Sequence, residues 1–324
     1  KTFPTVIDLM TKPEMTFLIQ KKAEASTSSD REQTIIYPAD RIKTRLVEYD
    51  LQPDDFGLGE FPEVIILKGK KGGFFEKSGM QQYEDTPLTN KMRSEVEKIN
   101  DWLVKMEIDI AADEISSEIN INNRKLRRYF GRGDLTFGSG GRLFGGFWLD
   151  MSKNQRRDYL WLGEEGICTL DFDNLGPTIL YSIAGETPPE GDAYTLPHYE
   201  RYRSGVKTIF STMTFTDKPL ERFPKGVKKE FEENQRLGWI TAAIRKKHQP
   251  IFHLLNSQIG HKIQRIESDI IIKALLLAMG EDIPALPVHD ALLFPKNKKE
   301  EGIRIMTTAF KEVTGAEGAI KEEL

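Results

Sequence analysis

The spacing of hydrophobic positions changes several times along the chain, and each change marks an element. From Thr89 to about Ala112, Met92, Val96, Ile99, Trp102, Leu103 and Met106 recur at helical spacing, which predicts an amphipathic helix. ICTLDFD (Ile167 to Asp173) is a short β-prone run that ends in carboxylates. NLGPTILYSIAGE follows it, with Pro177 suited to a helix's first turn and Gly185 to its stop, so the region reads as strand, acidic turn, helix. His198 to Phe215 reads as one helix with a cationic face, and Ile263 to Gly280 as a long buried helix. Pro284 to Pro295 holds two short apolar runs joined at His289 and Asp290, the pattern of a β-hairpin with an acid at its tip. FGSGGRLFGG (Phe137 to Gly146) reads as loop or turn, because so many glycines disfavour helix and strand alike. Ala23 to Gln33 and Lys68 to Met80 read as exposed loops, and no internal repeat is visible.

Composition narrows the class. With 324 residues, 39% of them hydrophobic, the chain is long enough for one large domain or a few subdomains around a real core. A net charge of −4 excludes a uniformly basic DNA-binding body, so any nucleic-acid site must be local. The stretch from Arg124 to Arg157 is the candidate: Arg124, Lys125, Arg127, Arg128, Arg132, Arg142, Lys153, Arg156 and Arg157 interleave with Tyr129, Phe130, Phe137, Phe144, Phe147 and Trp148, a mixture that suits phosphates and stacked bases. The competing reading is a solvated basic face over an aromatic core. A single cysteine, Cys168, excludes an internal disulfide and suits a reducing compartment. The longest apolar run, Ile270 to Met279, is broken by Lys273 and falls short of the ~20 residues that span a bilayer. No signal-peptide pattern opens the chain, and an intracellular protein away from membranes is expected.

Two carboxylates at the ends of separate strands, near a helix that presents Arg and Lys, are what in-line phosphoryl transfer with two metals requires. Asp171 and Asp290 are the candidate pair, and Mg²⁺ is the candidate ion, with Mn²⁺ as a substitute, because it takes one or two carboxylates and completes its shell with water and substrate phosphates. Alone, either aspartate is an ordinary turn or cap residue; the case rests on their company. Arg203 and Lys207 stand four apart, so on a helix they project to one side and can grip one triphosphate. Phe215 lies about 12 Å further along the axis, where it can support the sugar or base.

These residues carry a resemblance. Asp171 with its strand and following helix resembles polymerase motif A; Arg203, Lys207 and Phe215 resemble motif B; Val288, His289 and Asp290 resemble motif C, all in the right order. Gln264, followed by Asp269, Ile270 and Ile271, is similar to the helix before motif C in family A DNA polymerases, and Gly141, Arg142 and Leu143 to an upstream element that contacts primer and template. The chain thus resembles the superfamily of family A DNA polymerases and single-subunit RNA polymerases over roughly residues 165 to 295. The resemblance implies an α+β right-hand polymerase, with an antiparallel palm sheet, helical fingers and a reduced thumb. Residues 1–118 would be an N-terminal, thumb-like region; 119–197 the first part of the palm with the basic segment and motif A; 198–262 the fingers; and 263–324 the rest of the palm with the motif C hairpin. It further implies that Asp171, Asp290 and the backbone carbonyl of Phe172 bind the metals, that Arg203 and Lys207 neutralise the triphosphate, and that Lys207 donates a proton to pyrophosphate. Arg142, Gln264 and His289 would meet primer and template.

Three departures refine this expectation. The fifth residue after Asp171 is Gly176, where family A DNA polymerases carry a glutamate that blocks the ribose 2′ hydroxyl; single-subunit RNA polymerases have glycine there. Ala291 follows Asp290 where DNA polymerases have a second acid. Phe215 lacks the hydroxyl of the tyrosine usual at its position, and Thr216 replaces the glycine that commonly follows it. Weak discrimination between dNTP and rNTP is therefore expected. About 165 residues before motif A leave little room for a full thumb and none for a proofreading exonuclease, so low processivity is expected, with an accessory replication protein supplying further grip. The alternatives are a polymerase restricted to deoxynucleotides and a catalytically inactive nucleic-acid-binding replication or defence factor with a polymerase-like palm. Asp173, on the opposite strand face by alternation, and His198 carry no assigned role, and the glycine-rich segment lacks the βαβ surroundings of a dinucleotide site.

Overall fold

The structure, a computed structural model, describes residues 3–22, 34–51, 63–69, 79–111, 119–131 and 134–323. The expected loop at Ala23 to Gln33, most of that at Lys68 to Met80, and Arg132 lie outside the described residues. The chain forms two compact units, Lys1–Leu58 and Gly59–Leu324. The expected boundaries at 118, 197 and 262 all fall inside the second.

The first unit holds α1 (Phe3–Met10), β1 (Leu18–Lys21), β2 (Ile35–Pro38) and α2 (Asp40–Glu48). Its strands pair antiparallel, Leu18 opposite Pro38. Arg41 secures them to the preceding turn by donating to the carbonyls of Glu14 and Met15 and lying 4.6 Å over the Phe17 ring.

The second unit runs β3 (Ile65–Leu67), α3 (Pro87–Lys105), β4 (Ile108–Ile110), β5 (Leu126–Phe130), β6 (Gly140–Gly145), α4 (Lys153–Tyr159), β7 (Leu160–Leu162), β8 (Glu165–Phe172), α5 (Leu175–Ala184), α6 (Arg203–Phe215), α7 (Leu237–Lys247), α8 (Gly260–Gly280), β9 (Leu286–Val288), β10 (Ala291–Pro295), α9 (Lys299–Thr314) and β11 (Ile320–Glu323). The fold class is α+β. The larger sheet has the order β4-β7-β8-β10-β9, with β11 also on β8. Strand β8 is its centre. β10 lines one edge, with Ala291 opposite Asp171 and Pro295 opposite Ile167; β7 holds the start of the other edge and β11 its end, with Lys321 opposite Asp171. Each residue of β10 is buried, as a strand flanked on both sides must be. On β8, Phe172 points into the core against Phe310 of α9, ring centroids 5.6 Å apart, so alternation turns Asp171 to the other face.

The smaller sheet, β3-β5-β6, packs under α3 and α8. Its link to α8 is ionic. Arg128 of β5, 1% exposed, donates to the Gly141 carbonyl (2.9 Å), the Ser268 hydroxyl (3.1 Å) and Asp269 (2.6 Å), and Arg265 shares the same carboxylate.

The structure corrects three sequence readings. The helix from Thr89 starts at Pro87, where Thr86 and Thr89 cap each other reciprocally, and stops at Lys105 rather than Ala112. Met106 is extended and Ile108–Ile110 pairs with β7, since β-branched residues alternating on a sheet edge favour strand. The glycine-rich segment is largely strand β6, because its glycines take left-handed angles and let chains approach: a Cβ on Gly145 would stand 2.3 Å from the Lys125 carbonyl oxygen. The helix expected from His198 begins at Arg203; His198 has φ 70°, which no α-helix accommodates, and Glu200–Tyr202 is a single 3₁₀ turn. Among the described residues no helix is long and apolar enough to cross a membrane.

Replacing Arg128 by methionine should destabilise the fold by about 3 kcal/mol, since it strips the buried Ser268 hydroxyl of its donor and leaves Asp269 with Arg265 alone, while the Gly141 carbonyl keeps only the Ser268 hydroxyl. Arg128→Lys should recover little, because an ammonium lacks the fork that reaches three acceptors. Urea unfolding midpoints measure both, and a midpoint unchanged in Arg128→Met would contradict the ionic link between sheet and helix.

Candidate active site

The pairing of β8 with β10 decides where the acids go. Ala291 sits opposite Asp171, so the residue just before it, Asp290, stands beside Asp171 at one end of the sheet. After Asp171 the chain turns through Asp173 and Asn174, whose φ of 51° re-aims it into α5 and brings Gly176 and Pro177 alongside. At the other acid, His289 takes φ 58° in a two-residue turn between β9 and β10.

A pocket of about 360 Å³ opens over this sheet end. Asp171, Phe172, Gly176 and Asp290 form one wall, and α6 forms another through Arg203, Lys207, Phe210, Ser211, Thr214 and Phe215, a stripe that repeats at three- and four-residue steps. Helix α8 closes it with Gly260, Ile263, Gln264 and Glu267, and β6 contributes Arg142. Every candidate site residue except His289 therefore lines one pocket; His289 is exposed at the turn's tip and outside the lining. Phe172 is buried, so its backbone is what it offers the pocket.

The electrostatics follow from the crowding of acids. Burial, then the neighbouring Asp290 and then Glu323 push the Asp171 carboxyl from the ordinary 3.8 up to about 6, against the opposing pull of Lys321 and the Phe172 amide. Glu267 is also raised, chiefly by burial, though Arg142 pairs with it at 3.0 Å. Arg203 binds Asp192 through Nε at 3.0 Å and a second guanidinium nitrogen. The Lys207 ammonium makes no ion pair among the described residues and lies 5.8 Å over the Tyr194 ring. Lys321 pairs with Asp173 at 3.2 Å, on the strand that borders Asp171.

Sequence reasoning passed over Tyr194, Glu267, Asp192 and Lys321. Glu267 was within reach of the pattern, since it follows Gln264 by three on one helix face. Lys321 was not, because only a long-range strand pairing brings it to Asp171. The basic stretch from Arg124 to Arg157 is also re-read. Arg124 donates to the carbonyls of Ile121, Met106 and Ile108, Arg156 to those of Trp148 and Met151, and Arg128 is buried, so these three brace the fold rather than form an open basic surface.

No family model matches the chain, and no curated protein matches it in sequence. Among solved structures the chain is similar to the POL domain of Pol1 from M. smegmatis in complex with a DNA primer-template and dNTP, at 14% identity and a TM-score of 0.32. The match covers 56% of this chain and 45% of that one, so the chain spans less than half of that domain's length. A likeness of this size carries no functional weight.

A raised carboxyl means the fold disfavours the ionised form. The penalty is absent below about pH 4, grows as pH rises towards 6, and is fully present above it. A shift of this size in a fully buried group would be about 3 kcal/mol, and solvent screening at this partly exposed one leaves about 1 kcal/mol. Asp171→Asn should therefore raise the melting temperature at pH 8, with the gain shrinking as pH falls towards 4. A pH-independent difference, or a loss at pH 8, would contradict this account of the acidic pair.

Proposed function

We propose that the chain is a template-directed nucleotidyltransferase of polymerase type, adding dNTP or rNTP to a 3′ hydroxyl by two-metal catalysis with weak sugar discrimination. The observation that carries this reading is one pocket in which carboxylates from two strand ends face two helix-borne cations. A pure binding surface has no use for Asp290 pressing on Asp171, an arrangement that disfavours the Asp171 charge until a cation sits beside it.

The residues present fit Mg²⁺. The available donors are oxygens: Asp171, Asp290 and the Phe172 carbonyl. No cluster of three His, Cys, Asp or Glu set for a metal occurs among the described residues. So sparse an oxygen set suits an ion that keeps waters and borrows substrate phosphates, and does not suit zinc. When bound, the ions supply activation of the 3′ hydroxyl and neutralisation of phosphate charge.

The chain's own groups do the rest. Arg203 and Lys207 hold the triphosphate, and Lys207 Nζ is the proton donor to the leaving pyrophosphate. Phe215, 39% exposed, lines the pocket and meets His261 in a T-shaped pair, centroids 5.1 Å apart, and so offers a support for sugar or base. Gly260 makes this seat: a Cβ there would stand 2.8 Å from the Phe215 ring. Arg142, held by Glu267, and Gln264 face primer and template from the other side. Around Gly176 a Cβ would meet no heavy atom within 4 Å, so the wall leaves open the volume that a gating side chain would fill.

Primer extension on a DNA template with Mg²⁺ tests the reading. Both deoxynucleotides and ribonucleotides should be used, and Asp290→Ala should lower the rate by about 10³-fold or more. Gly176→Glu should fill the open volume and cut ribonucleotide use by about 10²-fold relative to deoxynucleotide use. No extension with Mg²⁺ or Mn²⁺ on DNA or RNA templates would overturn the enzymatic reading in favour of a binding factor.

A further inference from the structure

The cations that face the acids do not stand alone. Residues 188–196, between α5 and α6, form a loop that reaches back to both. The Asp192 carboxylate is fully committed: one oxygen receives the two guanidinium donors of Arg203, and the other receives the Tyr194 amide at 3.1 Å and the Thr195 hydroxyl at 2.7 Å. Its orientation is therefore set by its own loop before Arg203 arrives. Tyr194, 7% exposed, lies under both cations, its ring centre 5.6 Å from the Arg203 guanidinium carbon and 5.8 Å from the Lys207 ammonium, and packs edge-on against Phe210 at 5.7 Å.

The loop is itself held from two directions. From the end of α7, Lys247 donates to the carbonyls of Asp192 (2.6 Å) and Thr195 (2.8 Å). His248, fully buried, meets the Ala193 carbonyl through Nε2 at 2.9 Å and the Tyr181 hydroxyl through Nδ1 at 3.1 Å. A carbonyl can only accept, so Nε2 carries the proton and Nδ1 accepts from the tyrosine; the ring is neutral, in keeping with a pKa that burial lowers. From the acidic side, Asn174 accepts from the Ala193 amide at 3.1 Å and donates to Asp173 at 2.9 Å. One loop thus spans the turn after Asp171 and the helix bearing Arg203 and Lys207.

We propose that this loop is the device that presets the triphosphate grip, with Asp192 as the positioning residue for Arg203 and the Tyr194 ring as the surface on which Arg203 and Lys207 rest. The inference rests on the nucleotidyltransferase reading of the pocket. Preorganisation of this kind spares the ordering of two long, flexible side chains when the phosphates bind. It makes a prediction opposite to that of simple charge. If Asp192 only competed with phosphate for Arg203, neutralising it would tighten anion binding; if it positions Arg203, neutralising it weakens binding.

The test is calorimetric binding of inorganic tripolyphosphate to the full chain with Mg²⁺, paired with nucleotide kinetics in primer extension. Asp192→Asn should weaken tripolyphosphate by about tenfold and raise KM for nucleotide while kcat changes little. Asp192→Glu should recover part of the loss. Tyr194→Leu, which removes the ring, should lose more affinity than Tyr194→Phe, which keeps it. Thermal melts of each variant separate misfolding from lost positioning. Equal or tighter binding by a folded Asp192→Asn, beside an unaltered chain whose binding Lys207→Ala abolishes, overturns the positioning role and leaves the pocket's reading intact. Absence of tripolyphosphate binding by the unaltered chain overturns both.

Discussion

The register of one strand pair governs this protein. β10 lies antiparallel to β8 with Ala291 opposite Asp171, and that pairing sets two carboxylates side by side at a sheet end. A slip of one residue would turn Asp171 into the core and Phe172 out of it. The packing of Phe172 on Phe310 and the full burial of β10 make that slip prohibitive, so the apolar side of the sheet enforces the geometry of the charged side. Like charges held together in a partly buried site are unfavourable by themselves. The fold sustains the strain because β7, β11 and β10 over-determine the course of β8.

The rest of the pocket is built to meet that charge. α6 brings Arg203 and Lys207 on one face and buries Val206, Ile209 and Met213 on the other, so the cations cannot roll away without exposing the core. α8 serves two ends: its Glu267 holds Arg142 at the pocket, and the next two residues, Ser268 and Asp269, receive the buried Arg128. The smaller sheet thus reaches the pocket through Arg142 and is tied to the same helix through Arg128, and Gly141 is needed beside Arg142 because a side chain there would press on the Phe130 ring and Ser268.

Much of this was legible in the sequence where short-range pattern decides the outcome. The strand, turn and helix around Asp171, the hairpin at Asp290 and the long apolar helix before it follow from period and punctuation, and the structure has all three. The four-residue step from Arg203 to Lys207 also sufficed to put both on one helix face. What escaped depends on contacts distant in sequence. Nothing near Ile108 signals that it joins β7, and nothing near Lys321 signals that it borders Asp171. The loop from 188 to 196 has no periodicity, so Asp192 and Tyr194 gain meaning only once α7 and Asn174 are seen to hold them. Glycine misled at β6, since its usual reading as a strand breaker ignores the close approach that Gly145 permits. The basic stretch misled for a related reason: arginines that look like an open surface in one dimension, Arg124 and Arg156 among them, spend their donors on nearby carbonyls.

The central claim is that Asp171 and Asp290 jointly hold a pair of divalent ions when nucleotide is present. Electron paramagnetic resonance of Mn²⁺ added with a non-hydrolysable nucleotide and primer-template tests it most directly. The account predicts two protein-bound ions with the dipolar coupling of centres about 4 Å apart, lost on Asp290→Asn. A spectrum of free, hydrated Mn²⁺, or a bound signal indifferent to that substitution, would contradict it.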